Sequence, residues 1–501
     1  MNSRKFRRLG LGVVLLFAVV GTAVSLPEAP SRDAAVDALI AQALGPSPLS
    51  ETLRVLCDGI GGRIPGTPAL EKAVNWGVEN FRRAGVDNVH TEKYSIPHSW
   101  REGETLLEVV SPARFKVHAT SVAWAPATPK GGITAEVVDV GDGEGEDFAK
   151  LQGQGEGKIL LVHSRLMTSL DDLFAEYMHF AAVMGSAAQA KAAAVLFMST
   201  RPRGLLYRHT NSTSGQIASV PMAIVGREDA LRIARLISSG PQVQMHLSLP
   251  NEIGGPFETE NVVADIKGVG KPDEMVILGA HLDSWELGTG ALDNGCNASM
   301  VIDVARAFHA AGIRPQRTLR FILFTGEEEG LLGSRAYVHD HRSEMDRVVA
   351  ELVFDEGVGR VNGFFLGGRK DILPAINEVL EPVRDWGANS HTFDAFIGTD
   401  NFDFLLEGIP TLIANQDVTD YLPNYHASSD TFDKVDLREL KIQEALAAVT
   451  LYRIANRPQR LGPRQSRVEV ESLLRDYQLD QQMKQFGMWQ DWESGARGRK
   501  Q

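Results

Sequence analysis

The sequence predicts an α/β protein: a mixed, largely parallel sheet sandwiched by helices, with a smaller α/β module inserted into it. Three observations lead there. From Asn261 to Asn456 near-continuous apolar runs alternate with helical stretches, the pattern of a largely parallel sheet. Between Pro112 and Asn251 the texture changes to short β-rich runs separated by Gly-rich loops. The acids and histidines of the later region fall at the ends of its apolar runs, and in an open α/β sheet that edge is where sites form.

A chain of 501 residues exceeds what one hydrophobic core organises, so two folded units with terminal extensions are expected. Residues 1–25 read as an export signal. Arg4, Lys5, Arg7 and Arg8 precede an apolar run from Leu9 to Val20, and Ala23-Val24-Ser25 offers a small-x-small cleavage site. The run is shorter than the roughly 20 residues of a spanning helix, although an uncleaved signal would anchor the chain. The protein is thus expected to be exported, periplasmic or extracellular. The formal charge of −13 becomes more negative once the basic leader is removed, which argues against binding nucleic acid or an anionic membrane. Only Cys57 and Cys296 occur, so disulfides are not what holds this fold.

Residues 31–111 form the first segment of the main unit. Leu53, Val55, Leu56 and Ile60 give an apolar stripe, Gly61 to Pro68 a rigid loop, and Ala69 to Ala84 a helix stopped by Gly85. Residues 112–251 form the insert, with strands at Ile133 to Val140, Lys158 to His163, Ala193 to Met198, Val220 to Val225 and Val243 to Leu249, and an Ala-rich helix from Leu173 to Ala194. No cluster of acids and histidines suggests chemistry there; Arg201-Pro202-Arg203 could recognise a substrate carboxylate from the insert but reads more readily as a solvated loop. Residues 252–460 complete the main unit. Its strands are Asn261 to Ile266, Glu274 to Ala280, Thr318 to Thr325 and Arg347 to Phe354, and its helices Ala298 to Ala311, Leu331 to Asp340, Ile372 to Glu381 and Leu440 to Ala455. Residues 461–501 form a helical tail, with one amphipathic helix over Arg467 to Gln482 and a Trp-rich end expected to fray.

Five strand-end positions carry the chemistry. His281 and Asp283 follow one apolar strand, and residues i and i+2 of an extended chain face one side. His281 reads as a metal ligand and Asp283 as the carboxylate that fixes its tautomer. Asp293 enters from the glycine-bearing loop Gly288 to Gly295, and its two oxygens can bridge two cations. Glu327, Glu328 and Glu329 follow the next strand directly; three adjacent acids need a counter-charge, which a metal pair supplies. Asp355 and Glu356 end a fourth apolar run and compete for one ligand role, strand-end placement favouring Asp355; a later loop presents His426. Mixed histidine and carboxylate ligation suits zinc better than calcium. Two such ions about 3.5–4 Å apart would activate a water, and a free carboxylate would carry its proton to the leaving amine. His339 and His341 project about 200° apart on a helix and cannot share an ion there.

These segments resemble the M28 zinc exopeptidases, and within them the carboxypeptidase Q group. The matching stretches are His281-Leu282-Asp283-Ser284-Trp285, Gly288-Thr289-Gly290-Ala291-Leu292-Asp293, Thr325-Gly326-Glu327-Glu328, Gly398-Thr399-Asp400 and Tyr425-His426. The resemblance spans roughly Leu49 to Asn456 and likens the insert to a protease-associated domain. It implies a fold of the zinc-exopeptidase type and two Zn2+ per chain. His281, Asp293 and Asp355 would hold one ion, and Asp293, Glu328 and His426 the other. Glu327 would be the general base and Glu329 a bystander. A short peptide substrate and a homodimer are implied as well. Asn294 departs from the family, which more often has a second acid there. The family hosts both dipeptidase or carboxypeptidase and aminopeptidase activities, so attack from either end stays open. A non-catalytic cell-surface binding protein on the same scaffold would have lost ligands, whereas all five are present with Glu327.

Overall fold

The computed structural model describes residues 33–86, 88–210 and 213–500. The expected export signal over residues 1–25 lies outside them. Among the described residues no helix is long and apolar enough to cross a membrane.

The main sheet has seven strands: β1 (Asn88–Ile96), β2 (Phe257–Ile266), β3 (Lys271–His281), β4 (Arg317–Phe324), β5 (Val348–Val353), β6 (Val361–Phe365) and β7 (Thr411–Gln416), in the spatial order β1-β2-β4-β3-β5-β7-β6. The four strands β4, β3, β5 and β7 run parallel, while β1, β2 and β6 pair antiparallel at the flanks. The parallel character is thus confined to the centre. Its strands are buried on both faces, as their unbroken apolar runs require. Alternation distributes the side chains: Val276, Leu278 and Ala280 join the large core beneath the helices Pro68–Arg83, Cys296–Ala310 and Leu437–Asn456, while Met275 and Ile277 face Tyr337, Val338 and Phe404 on the other side. His281 pairs in register with Phe324, and Gly279 with Val353, so these three strands end at one edge.

A second, eight-stranded sheet is built from residues between 106 and 248, with the helices Leu170–Gln189 and Arg227–Ser238 packed on opposite faces. Leu106–Ser111, placed by sequence in the first segment of the main unit, is a strand of this second sheet, paired with Phe115–Val117 and Gln244–Ser248. Its helix runs from Leu170, capped by Ser169, to Gln189, and so starts and stops earlier than the Ala-rich stretch suggested. Lys191 takes a left-handed φ of 53° and turns the alanines after it into the next strand.

The tail corrects two expectations. Instead of one helix over Arg467 to Gln482 there are two, Arg467–Asp476 and Leu479–Gln485, broken at Gln478 with φ 57°. The end does not fray: a third helix, Trp489–Ser494, buries Trp492 with Met483 and Leu474 against Phe402, Leu405 and Leu406. Arg497, itself buried, grips the buried Asp403 carboxylate through two bonds of 2.8 and 2.6 Å. Long-range burial outweighs the polar composition that suggested fraying. Cys57 and Cys296 are both buried free thiols.

Candidate metal centre

The aligned ends of β3, β4 and β5 set His281, the Glu327–Glu328 turn and Asp355 side by side, and two loops bring in Asp293 and His426. The Asp293 loop is pinned from both sides. Buried Arg63 donates to the main-chain oxygens of Leu282, Thr289 and Gly290 at 2.6, 2.8 and 2.9 Å. The Asp430 carboxylate accepts the main-chain N–H groups of Ala291, Leu292 and Asp293 at 3.1, 2.7 and 3.1 Å. Burial pushes the Asp430 carboxyl up to about 7, against the pull of those N–H groups and of Arg63. Gly290 has φ +59°, and a Cβ there would lie 2.2 Å from Ser284 Oγ, so only glycine fits the turn.

Two groups of donors result, His281 with Asp293 and Asp355, and Asp293 with Glu328 and His426. His281 Nε2 lies 3.1 Å from Asp293 Oδ1 and 2.9 Å from Asp355 Oδ1; His426 Nε2 lies 3.3 Å from Asp293 Oδ2 and 2.8 Å from Glu328 Oε2. Asp293 therefore belongs to both groups, one oxygen to each. The opposite nitrogens are committed: His281 Nδ1 donates to the Asp283 main-chain oxygen and His426 Nδ1 to that of Arg208, both at 3.0 Å. A neutral imidazole so tautomerised aims its Nε2 lone pair at carboxylate oxygens. That is repulsive unless a cation stands between them or the ring is protonated. Burial alone would lower the His281 pKa, but Asp355, Asp283 and Asp293 hold it well above its usual range. Burial would likewise raise Asp293, yet hydrogen bonds with His281 and His426 hold it below the carboxylate range. Glu328 Oε1 is buried without a hydrogen-bond partner. Converging buried carboxylates, two oriented imidazoles and an orphaned oxygen fit a pair of divalent cations.

The remaining sequence-derived residues take distinct places. The Asp283 carboxylate approaches His281 Nδ1 only to 3.7 Å and accepts the Glu328 N–H at 3.2 Å, while the Asp283 main-chain oxygen takes the closer bond to the ring. Beyond the end of β3 the chain turns, and its carbonyl arrives first. Glu327 is half-buried and lines the cavity over the donors; burial, Asp355 and Glu328 push its carboxyl well above the usual range, against the pull of His281. Glu329 is fully buried behind them. Glu356 turns toward β7, where it accepts the Gln416 N–H at 3.0 Å, leaving Asp355 in the first donor group. His339 is exposed beside Asp340, and His341 pairs with Glu92, so neither joins the centre.

Several contributors escaped the sequence reading. Asn294 Nδ2 donates to Asp355 Oδ1 at 2.7 Å and to the Phe354 main-chain oxygen at 2.9 Å, orienting the donor carboxylate. Tyr421 donates to Asp293 Oδ2 at 3.1 Å. The insert, read as free of chemistry, reaches the centre directly: Tyr207 bridges antiparallel to Ala427, and the Arg208 N–H donates to the His426 main-chain oxygen at 2.8 Å. The Arg208 guanidinium is buried between Glu102 and Glu286. Arg201 is likewise buried, donating to the Tyr425 main-chain oxygen at 2.9 Å with its guanidinium 4.0 Å from the Tyr207 ring centre. It is no solvated loop residue, because the carbonyl and the ring replace its water.

A sequence profile of the family described as "Peptidase family M28" matches residues 261–451, which hold all the donors. Carboxypeptidase Q of Rattus norvegicus is 30% identical over 414 residues, covering 81% of this chain and 85% of the relative. Aminopeptidase YwaD of Bacillus subtilis is 27% identical over 306 residues, covering 61% and 60%. The crystal structure of a peptidase M28 precursor from Shewanella amazonensis superposes with a TM-score of 0.78 at 27% identity, covering 86% of this chain and 98% of that one.

Proposed function

This chain belongs to peptidase family M28, and on that premise we propose that it is an exported exopeptidase that hydrolyses short peptides or dipeptides with two zinc ions per chain. The observation that carries the reading is the pair of donor groups sharing Asp293, each with an imidazole whose Nδ1 is already bonded to a carbonyl. His281, Asp293 and Asp355 would hold one zinc, and Asp293, Glu328 and His426 the other. When bound, the ions supply Lewis acidity to the scissile carbonyl and lower the pKa of water.

The protein's own groups do the rest. Glu327, which lines the cavity beside the donors without belonging to either group, accepts the proton of the attacking water on its carboxylate and returns it to the leaving amine. Asn294 and Tyr421 hold Asp355 and Asp293 in place, and the Asp283 main-chain oxygen keeps the His281 ring turned. Asp283 acts through His281 and Glu328 and is a positioning residue. The cavity over the donors is small, about 50 Å3, which suits a short substrate with a free end. Export rests on residues 1–25, and a homodimer is part of the same reading.

The lining of the cleft favours attack from the amino end. Among the described residues lining the cavity over the donors are the carboxylates of Glu327 and Glu356, which take no part in either donor group, and no Lys or Arg. A free α-ammonium finds hydrogen-bond acceptors there, whereas a free α-carboxylate finds no side-chain cation among the described residues. The test is a panel of dipeptides with the zinc-loaded protein, each free, N-acetylated or C-amidated. Hydrolysis that survives amidation and fails on acetylation is expected; the reverse pattern assigns the carboxyl end, and no hydrolysis of any member refutes the peptidase reading.

A further inference from the structure

A second cavity, of about 150 Å3, opens beside the one over the donors and shares Leu173, Phe174, Glu327, Gly398 and Tyr425 with it. Three parts of the chain far apart in sequence wall it. The insert gives Phe174, Tyr177 and Ala181 from the Leu170–Gln189 helix; the main unit gives Ile397; the tail gives Phe486 and Met488. The tail lies beyond residues 261–451, the part that matches the family profile. It is fixed at both ends of the wall. Gln485 Nε2 donates to the Met178 main-chain oxygen at 2.6 Å and Thr213 Oγ1 to that of Phe486 at 2.9 Å, while the Arg497–Asp403 and Arg335–Asp491 pairs tie the far end to the main unit.

We propose that this cavity receives the side chain of one of the two residues flanking the scissile bond, that it selects a large apolar side chain, and that Phe486 and Met488 of the tail are specificity-determining residues. The proposal rests on the peptidase reading, since Glu327 stands in both cavities. The walls are mainly aliphatic and aromatic, with Thr210, Thr213 and Gln482 among them, and about 150 Å3 is the size at which an apolar protein cavity takes up a benzene ring. Among the described residues the charged ones that line it are Glu327 and Glu328, with no Lys or Arg, so an acidic side chain is poorly solvated there and finds no side-chain cation. The apolar tail residues, exposed if the tail detached, gain their burial by closing this wall.

The test uses the full-length zinc-loaded protein and dipeptides in both orders: Phe-Ala, Ala-Phe, Leu-Ala, Ala-Leu, Glu-Ala, Ala-Glu and Ala-Ala. At one of the two positions, kcat/KM for Phe and Leu should exceed that for Ala by about 10–200-fold, the discrimination a hydrophobic pocket supplies, and Glu should be the poorest. Filling the cavity with Ala181→Phe should bring the Phe-to-Ala ratio toward one. Opening it with Phe486→Ala plus Met488→Ala should lower the ratio about tenfold. Zinc content and Tm of each variant are measured alongside, because a specificity change at unaltered zinc content belongs to the pocket. An unchanged ratio in the tail pair overturns the proposal, and so does a wild type that cleaves all the peptides alike, which leaves the peptidase reading standing. If no peptide is cleaved, the peptidase reading fails instead; calorimetric binding of phenylalanine against alanine then still reads the pocket, and equal affinities overturn it.

Discussion

His426 Nδ1 lies 3.0 Å from the main-chain oxygen of Arg208, so a residue of the insert sets the tautomer of a donor in the main unit. The Arg208 side chain helps anchor that backbone, held by the carboxylates of Glu102 and Glu286 and by Thr120 and Ser121. Arg208→Met should loosen residues 206–208 and free the His426 ring. We expect metal affinity at the His426 group to fall about 10–100-fold, the usual effect of losing an outer-shell partner. Stability should fall by about 3 kcal/mol, because two carboxylates lose their buried cation but are partly exposed themselves. Chelator competition reads the first and urea unfolding of the zinc-saturated protein the second.

Glu327 and Glu328 are neighbours that should fail differently. Glu328→Gln removes a donor, so zinc content and activity should drop together. Glu327→Gln should keep both ions and lose about 10²–10⁴-fold in kcat, the usual worth of a positioned proton carrier. Elemental analysis and kcat on both variants decide the matter; near-normal turnover in a metal-replete Glu327→Gln protein moves the base to another carboxylate.

Mild purification should yield about two zinc ions per chain, one for each donor group. The ions also neutralise carboxylates that are otherwise crowded and buried, so they bind the folded chain alone. Free zinc at a hundred times the Kd of each group should add about 2.7 kcal/mol of stability per ion, about 5.4 kcal/mol for both, read as a higher Tm that chelation reverses.

The Glu92–His341 pair, 3.0 Å apart, ties the end of the Leu332–Asp340 helix to β1. The hydrogen bond to Glu92 raises the His341 pKa in spite of partial burial. Burial would raise Glu92, yet its bonds with His341 and His90 leave it lowered. The raised histidine stabilises fully below its unfolded pKa of about 6.5, and this is lost as pH rises through the folded value. The lowered glutamate stabilises above its unfolded value of about 4.3, and this is lost as pH falls through the folded one. His341→Asn should therefore cost about 1 kcal/mol near pH 5.5 and little at pH 9, measured by urea unfolding at each pH.

Arg497→Met should cost about 3–5 kcal/mol, since it leaves the buried Asp403 charge alone. The companion Asp403→Leu, Arg497→Met variant should recover much of that loss, with thermal unfolding as the readout.

Much of the central sheet was legible because its strands are unbroken apolar runs. Val276 to Ala280 and Phe321 to Phe324 read as buried strands, and the residues just after such a run come to the sheet edge. Hence His281 and Glu328 could be placed at that edge from sequence, and each joins a donor group that shares Asp293. Asp430, Arg63 and Tyr421 could not, since each acts across a long sequence separation on main-chain atoms or on a neighbour's carboxylate. The misread segments share one cause. Arg201 and the Trp492 region look like solvated surface by composition, and only the carbonyl of Tyr425 and the side chains of Leu405 and Leu406 make them interior.

Asp293 gives one oxygen to each donor group, and this ties the evolutionary fates of the two positions together. A lineage drifting toward a different ion at the His281 position would alter the field and reach of the same carboxylate at the His426 position. On the two-ion reading, a change of metal preference made through Asp293 would reach both positions, whereas one made through Asp355 or Glu328 would alter one donor group directly.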